Sequence, residues 1–93
     1  MPYELRYSQE SVEDLKRLRR HDRTAIIDQI KQVLAVNPTL ESKARLKKLR
    51  GTAPTEYRLR VGDFRVFYDV EAGHVDIVRI LSKEEAIKYL TGE

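Results

Sequence analysis

Apolar positions along this chain change their period several times, and each change marks a boundary between elements. Tyr3, Leu5 and Tyr7 alternate with other residues, which predicts a short first strand over residues 3–7. Ser8 can then cap a helix, with Glu10 in a first turn where the helix dipole favours an acid. Val12, Leu15 and Leu18 recur at three-residue spacing and predict a first helix ending near Arg20 or His21. Asp22 is placed to cap a second helix, whose stripe is Ile26, Ile27, Ile30, Val33 and Leu34. Asn37-Pro38 stops it, because the residue before proline resists helical geometry. The two helices are expected to pack as an antiparallel hairpin.

Residues 39–49 show no period and read as a basic, irregular segment, with Leu46 and Leu49 as its anchors. From Tyr57 the pattern turns to β-branched and aromatic residues. Tyr57–Val61 and Phe64–Val70 read as two strands joined by a two-residue loop, Gly62-Asp63. Phe64–Val70 is apolar on both faces apart from Arg65 and Asp69, which places it centrally in a sheet. Glu71-Ala72-Gly73 is the next turn, and His74–Leu81 the last strand. Ser82-Lys83-Glu84-Glu85 fits a capping box that opens a short final helix from Lys83 to about Leu90. The order is β-α-α-β-β-β-α. It predicts one α+β domain over residues 1–93, with an N-terminal helical hairpin on one face of a small antiparallel sheet.

The hairpin register has a chemical consequence. With Gly62-Asp63 as the loop, Val61 lies opposite Phe64, Arg60 opposite Arg65 and Arg58 opposite Phe67. Side chains alternate with period two, so Arg58, Arg60, Arg65 and Phe67 share one face. Like charges set opposite each other are destabilising. Such a face is understandable if an anion lands on it, and phosphate matches the guanidinium fork. The plainer alternative is that the arginines splay into solvent.

Composition narrows the class. Of 93 residues, 41% are apolar, which allows a modest core, and 35% are charged. No cysteine is present, which excludes a disulfide framework and thiolate chemistry. His21 and His74 read as turn residues without partners at metal-ligand spacing, so neither a metal nor another cofactor is expected. No apolar run reaches membrane-spanning length, and Met1-Pro2-Tyr3-Glu4-Leu5 lacks signal-peptide features. The expectation is a soluble cytoplasmic protein with no membrane partner. Net charge is only +3, but eight basic residues between Lys43 and Arg65 face two acidic ones, a local excess of six. That clustering fits a polyanion, or equally an acidic protein segment.

Lys48-Leu49-Arg50-Gly51, followed by Tyr57-Arg58-Leu59-Arg60-Val61-Gly62-Asp63-Phe64-Arg65-Val66-Phe67-Tyr68, resembles the RelE/ParE family of type II toxin–antitoxin toxins. The resemblance spans nearly the whole chain. It implies one of two activities: cleavage of mRNA in the ribosomal A site, or inhibition of DNA gyrase without chemistry. A homologue that only binds its antitoxin is a third possibility. In the ribonuclease branch, the resemblance implies that Arg65 stabilises charge at the scissile phosphate and that Arg58 and Arg60 hold the RNA backbone. Lys83 and Glu56 are candidates for proton transfer. Lys47, Lys48 and Arg50 are candidate phosphate contacts; Phe67 and Tyr89 are candidate stacking partners for bases, or else Phe67 covers the core edge and Tyr89 packs its ring against the sheet. Glu84 stands where some members carry an arginine, and Tyr89 falls one position from the family tyrosine. Glu84 and Glu85 themselves read first as helix-start acids. The implied partners are a cognate antitoxin, the ribosome and mRNA, with gyrase as the alternative. Lys16, Arg17, Arg19, Arg20 and Arg23 give the helical hairpin a second basic surface suited to an acidic antitoxin tail.

Overall fold

The computed structural model describes residues 2–92; Met1, the start of the N-terminal stretch read above, and Glu93 lie outside them. Among the described residues, β1 (Glu4–Tyr7), β2 (Leu46–Lys48), β3 (Tyr57–Val61), β4 (Phe64–Glu71) and β5 (His74–Ser82) form one sheet. Its strand order is β1-β5-β4-β3-β2, so β4 is central. The helices are α1 (Gln9–Lys16), α2 (Arg20–Gln29) and α3 (Lys83–Thr91). The observed order is the expected β-α-α-β-β-β-α with one strand added.

The added strand is β2, inside the segment expected to be irregular. It pairs antiparallel with β3, Lys47 opposite Arg58, and Leu46 is buried in the core. A three-residue strand has too few positions to show a period, and its ladder depends on residues far along the chain. The sheet is otherwise antiparallel, but β1 runs parallel to β5, making it mixed.

Ile26, Ile30 and Leu34 are fully buried, as their helical spacing requires. Past Gln29 the helix continues as a π-helical turn, Ile30–Leu34, in which the Ala35 N–H donates to the Ile30 carbonyl. The first helix is shorter than expected and ends at Lys16. Arg23 Nη1 donates to the carbonyls of Leu15 and Leu18, satisfying groups left open beyond that helix end. Asp22 therefore lies in the first turn of α2, and Arg19 occupies the cap position without a side-chain bond. Each helix makes its main strand contacts separately, α1 with β5 and α2 with β3.

Leu15, Ile26, Ile30, Leu34, Leu59, Val66, Tyr68, Val75, Ile77 and Ile80 build the main core on that sheet face. Tyr68 stacks on Tyr57 with ring centroids 5.5 Å apart, and its hydroxyl donates to the Pro38 carbonyl at 2.7 Å. Burial, with Tyr57 beside it, pushes that hydroxyl's pKa up. A smaller core of Phe67, Leu81 and Ala86 lies on the opposite face, beneath α3. The sheet is thus covered on both sides at its centre. That is why β4 is apolar in both directions.

One irregularity decides which residues reach the second face. Phe67 pairs with Arg79, but Tyr68 pairs with Ile77, so Val78 is an extra residue in β5. This bulge shifts the alternation by one. Ile77 and Ile80 both face the main core, while Arg79 and Leu81 fall on the face of Arg65 and Phe67.

Candidate functional site

The expected hairpin register is observed. Arg60 lies opposite Arg65, and Arg58 opposite Phe67. Gly62 takes a φ of +56°, left-handed backbone that suits glycine in a tight loop. Lys47 joins the same face from β2. Among the described residues, none of Arg58, Arg60 and Arg65 forms a salt bridge. Arg65 Nη1 instead donates to the carbonyls of Gly62 and Phe64, at 3.1 and 3.0 Å, which fixes its guanidinium beside the loop. Burial, then the charges of Arg65 and Arg60, lowers the pKa of Arg58. Three cations facing one another without a counter-ion attract an anion.

The last helix supplies the opposite wall. Ser82 and Glu85 form the expected capping box, each side chain bonded to the other's backbone N–H. The Lys83 N–H donates to the Asp63 carbonyl at 2.9 Å, so α3 starts against the hairpin loop. Between sheet and helix lies a cleft of about 490 Å³ lined by Lys47, Leu49, Arg58, Arg65, Lys83, Glu84, Ala86, Ile87 and Leu90. Its sheet side and its rim at Lys83 are cationic. Toward the C-terminal end of α3 it is apolar.

A fourth arginine on this face has a different environment. Arg79 donates to the Asp14 carboxylate through Nε at 2.8 Å and Nη2 at 3.1 Å. Asp14 is 2% exposed and also accepts the Ile80 N–H at 2.9 Å and a bond from Arg17. It therefore closes the edge of β5 where β1 has ended. Burial pushes the Asp14 carboxyl pKa up, but the bonds from Arg79 and Ile80, with the Arg79 and Arg17 charges, outweigh it and hold the carboxyl below its usual value. The Arg79 guanidinium lies 5.8 Å from the centroid of the Tyr89 ring, and that ring packs on Phe67 at 4.9 Å. This chain of contacts, from α1 through β5 to α3, fixes the helix that walls the cleft.

Residues 5–87 match the family described as ParE toxin of type II toxin-antitoxin system, parDE. The chain belongs to this toxin family. The fold agrees with solved toxin structures. In the RelBE2 toxin–antitoxin complex of Mycobacterium tuberculosis, the similar chain is 22% identical, with a TM-score of 0.73, covering 88% of this chain and 99% of that one. In the archaeal RelE–RelB complex of Pyrococcus horikoshii, identity is 26% and TM-score 0.72, covering 89% and 97%. In the YoeB–YefM complex of Staphylococcus aureus, identity is 21% and TM-score 0.64, covering 87% and 97%. No curated protein matches by sequence.

In this ParE-family toxin the structure gathers Arg58, Arg65, Lys47 and Lys83 around one cleft, with Arg60 beside Arg65 at the exposed end of β3. Lys83 Nζ lies 3.9 Å from Asp63, both in contact with solvent. Lys48 and Arg50 line a separate shallow depression that shares Lys47 with the cleft. Two expectations need correction. Phe67, read as a platform for bases, is fully buried beneath α3 and offers no face to a ligand. Glu56, read as a proton acceptor, accepts the Val70 N–H at 2.9 Å while Asp69 accepts the Glu56 N–H at 2.7 Å. That reciprocal pair ties β3 to β4, and Glu56 does not line the cleft. Tyr89 is half-buried, its ring held between Phe67 and Arg79. Sequence reasoning missed Asp14 and Arg79, whose partnership spans 65 positions. It also missed Leu49, Ile87 and Leu90 as the apolar part of the cleft.

Proposed function

We propose that this toxin is a metal-independent endoribonuclease that cleaves mRNA in the ribosomal A site, and that a cognate antitoxin neutralises it. The observation that carries the reading is the set of unpaired arginines beside the α3 cleft. In the proposed reaction the ribose 2′-hydroxyl attacks the adjacent phosphate and the 5′-oxygen leaves. Negative charge gathers on the phosphorus oxygens, and fixed cations stabilise it. Arg65, its guanidinium held by the loop carbonyls, takes that role. Arg58 and Arg60 position neighbouring phosphates, and Lys83 protonates the leaving oxygen. Lys47, Lys48 and Arg50 extend the track for the backbone, while Tyr89 holds α3 in place. Likeness to toxins solved with their antitoxins supports an antitoxin partner.

A second reading has its own support: the matching family is that of ParE. In that case the same basic face binds DNA gyrase and performs no chemistry. The test is mRNA on programmed ribosomes, with new 5′ ends mapped for wild type and Arg65→Ala. A-site cuts that vanish in Arg65→Ala support the ribonuclease. A folded, antitoxin-free wild type that makes no cuts, yet inhibits gyrase supercoiling, supports the second reading.

A further inference from the structure

Transesterification at a phosphate is assisted by a group that takes the 2′-hydroxyl proton. Arginine stays protonated and is unsuited to this. Among the residues lining the cleft, Glu84 is the one carboxylate. The nearby carboxylates have partners: Glu85 accepts the Ser82 N–H at 3.0 Å, Glu56 the Val70 N–H at 2.9 Å, and Asp63 on the hairpin loop lies 3.9 Å from Lys83 Nζ. Glu84 is exposed, and its side chain makes no hydrogen bond or ion pair among the described residues. The helix dipole favours both first-turn acids of α3, Glu84 and Glu85, but the capping box uses only Glu85. Glu84 is left free in the wall of a cleft lined by Lys47, Arg58, Arg65 and Lys83.

We propose that Glu84 is the proton acceptor of the cleavage reaction, a role that rests on the endoribonuclease reading above. Its carboxylate takes the 2′-hydroxyl proton as the 2′-oxygen bonds to phosphorus. The bond from phosphorus to the 5′-oxygen breaks, and the Lys83 ammonium gives that oxygen a proton. The products are a 2′,3′-cyclic phosphate and a 5′-hydroxyl. Proton exchange with solvent returns Glu84 and Lys83 to their starting states. Arg58 and Arg65, on the sheet side of the same cleft, bind the phosphate.

The test is single-turnover cleavage of ribosome-bound mRNA by wild type, Glu84→Gln and Glu84→Asp, between about pH 6 and pH 8. Glu84→Gln is expected to slow the step about 10²-fold without changing the half-saturating ribosome concentration. Its rate should then climb roughly tenfold per pH unit as hydroxide takes over, while wild type stays flat and Glu84→Asp recovers most of the rate. A Glu84→Gln enzyme within about twofold of wild type overturns the proposal. So does one that is slower but keeps the flat profile, because a merely structural loss leaves the profile unchanged. If wild type itself makes no cuts, the endoribonuclease reading fails and this role falls with it. Cleavage by wild type with an unaffected Glu84→Gln removes only this role.

Discussion

Arg79 and Arg65 sit on neighbouring strands and the same sheet face, yet their surroundings are opposite. Arg79 forms a two-point bond with a buried carboxylate and lies over an aromatic ring. Among the described residues, Arg65 hydrogen-bonds to backbone carbonyls alone and faces Arg60 across the ladder. A guanidinium with a buried counter-ion fixes elements in place, because removing either partner strands a charge away from water. A guanidinium left without one keeps its charge available to a ligand. The paired arginine therefore belongs to the architecture, and the unpaired ones to the proposed chemistry.

The strongest way to break this contrast is at Asp14. Asp14→Ala leaves Arg79 and the Ile80 N–H without their acceptor. It should cost about 3–5 kcal/mol of stability, measured by urea unfolding. Arg65→Ala should show the converse. Its unfolding free energy should stay within about 0.5 kcal/mol of wild type, because no buried partner is stranded. On the proposed endoribonuclease reading, its cleavage of ribosome-bound mRNA should fall about 10²–10³-fold, the scale of losing one fixed charge stabiliser.

Acid should separate the two regions as well. The Asp14 carboxyl is held below its usual pKa in the folded state. Its stabilisation is therefore complete above the unfolded value, about 3.9, and is lost as pH falls through the lower folded value. Wild type should lose stability below about pH 4, and Asp14→Asn should show a shallower acid slope in the same denaturation series. The smallest effect belongs to the arginine face. Arg60→Thr removes one of two like charges set opposite each other and should raise stability by about 0.2–1 kcal/mol in thermal or urea unfolding.

The sequence revealed the unpaired region more readily than the paired one, for physical reasons. Local rules govern the hairpin: a two-residue loop with glycine and strict alternation place Arg60 against Arg65 without tertiary information. The capping box at Ser82 and Glu85 is local too. Asp14 is different. Helical spacing favours Val12 as the inward residue, but Val12 is 36% exposed while Ser11 and Asp14 are buried. A buried carboxylate is favourable only because Arg79 and the Ile80 N–H come from a distant strand. The Val78 bulge turns Arg79 away from the face of Val75 and Ile77, and simple alternation cannot register it. Phe67 was legible as a neighbour of Arg58 and, from the apolar pattern on both faces of β4, as a core residue, but the helix that covers it was not. The short apolar pattern of the last helix, with Ala86 inward and Ile87 exposed, does not say which sheet face it covers.

The most direct test takes Arg65→Ala and Arg79→Ala through the same two assays, urea unfolding and cleavage of mRNA on programmed ribosomes. The proposed division between unpaired and paired arginines requires that Arg65→Ala keep wild-type unfolding and lose the A-site cuts, while Arg79→Ala unfolds at markedly lower urea. An Arg65→Ala protein that still cuts at the wild-type rate, or an Arg79→Ala protein as stable as wild type, would contradict it.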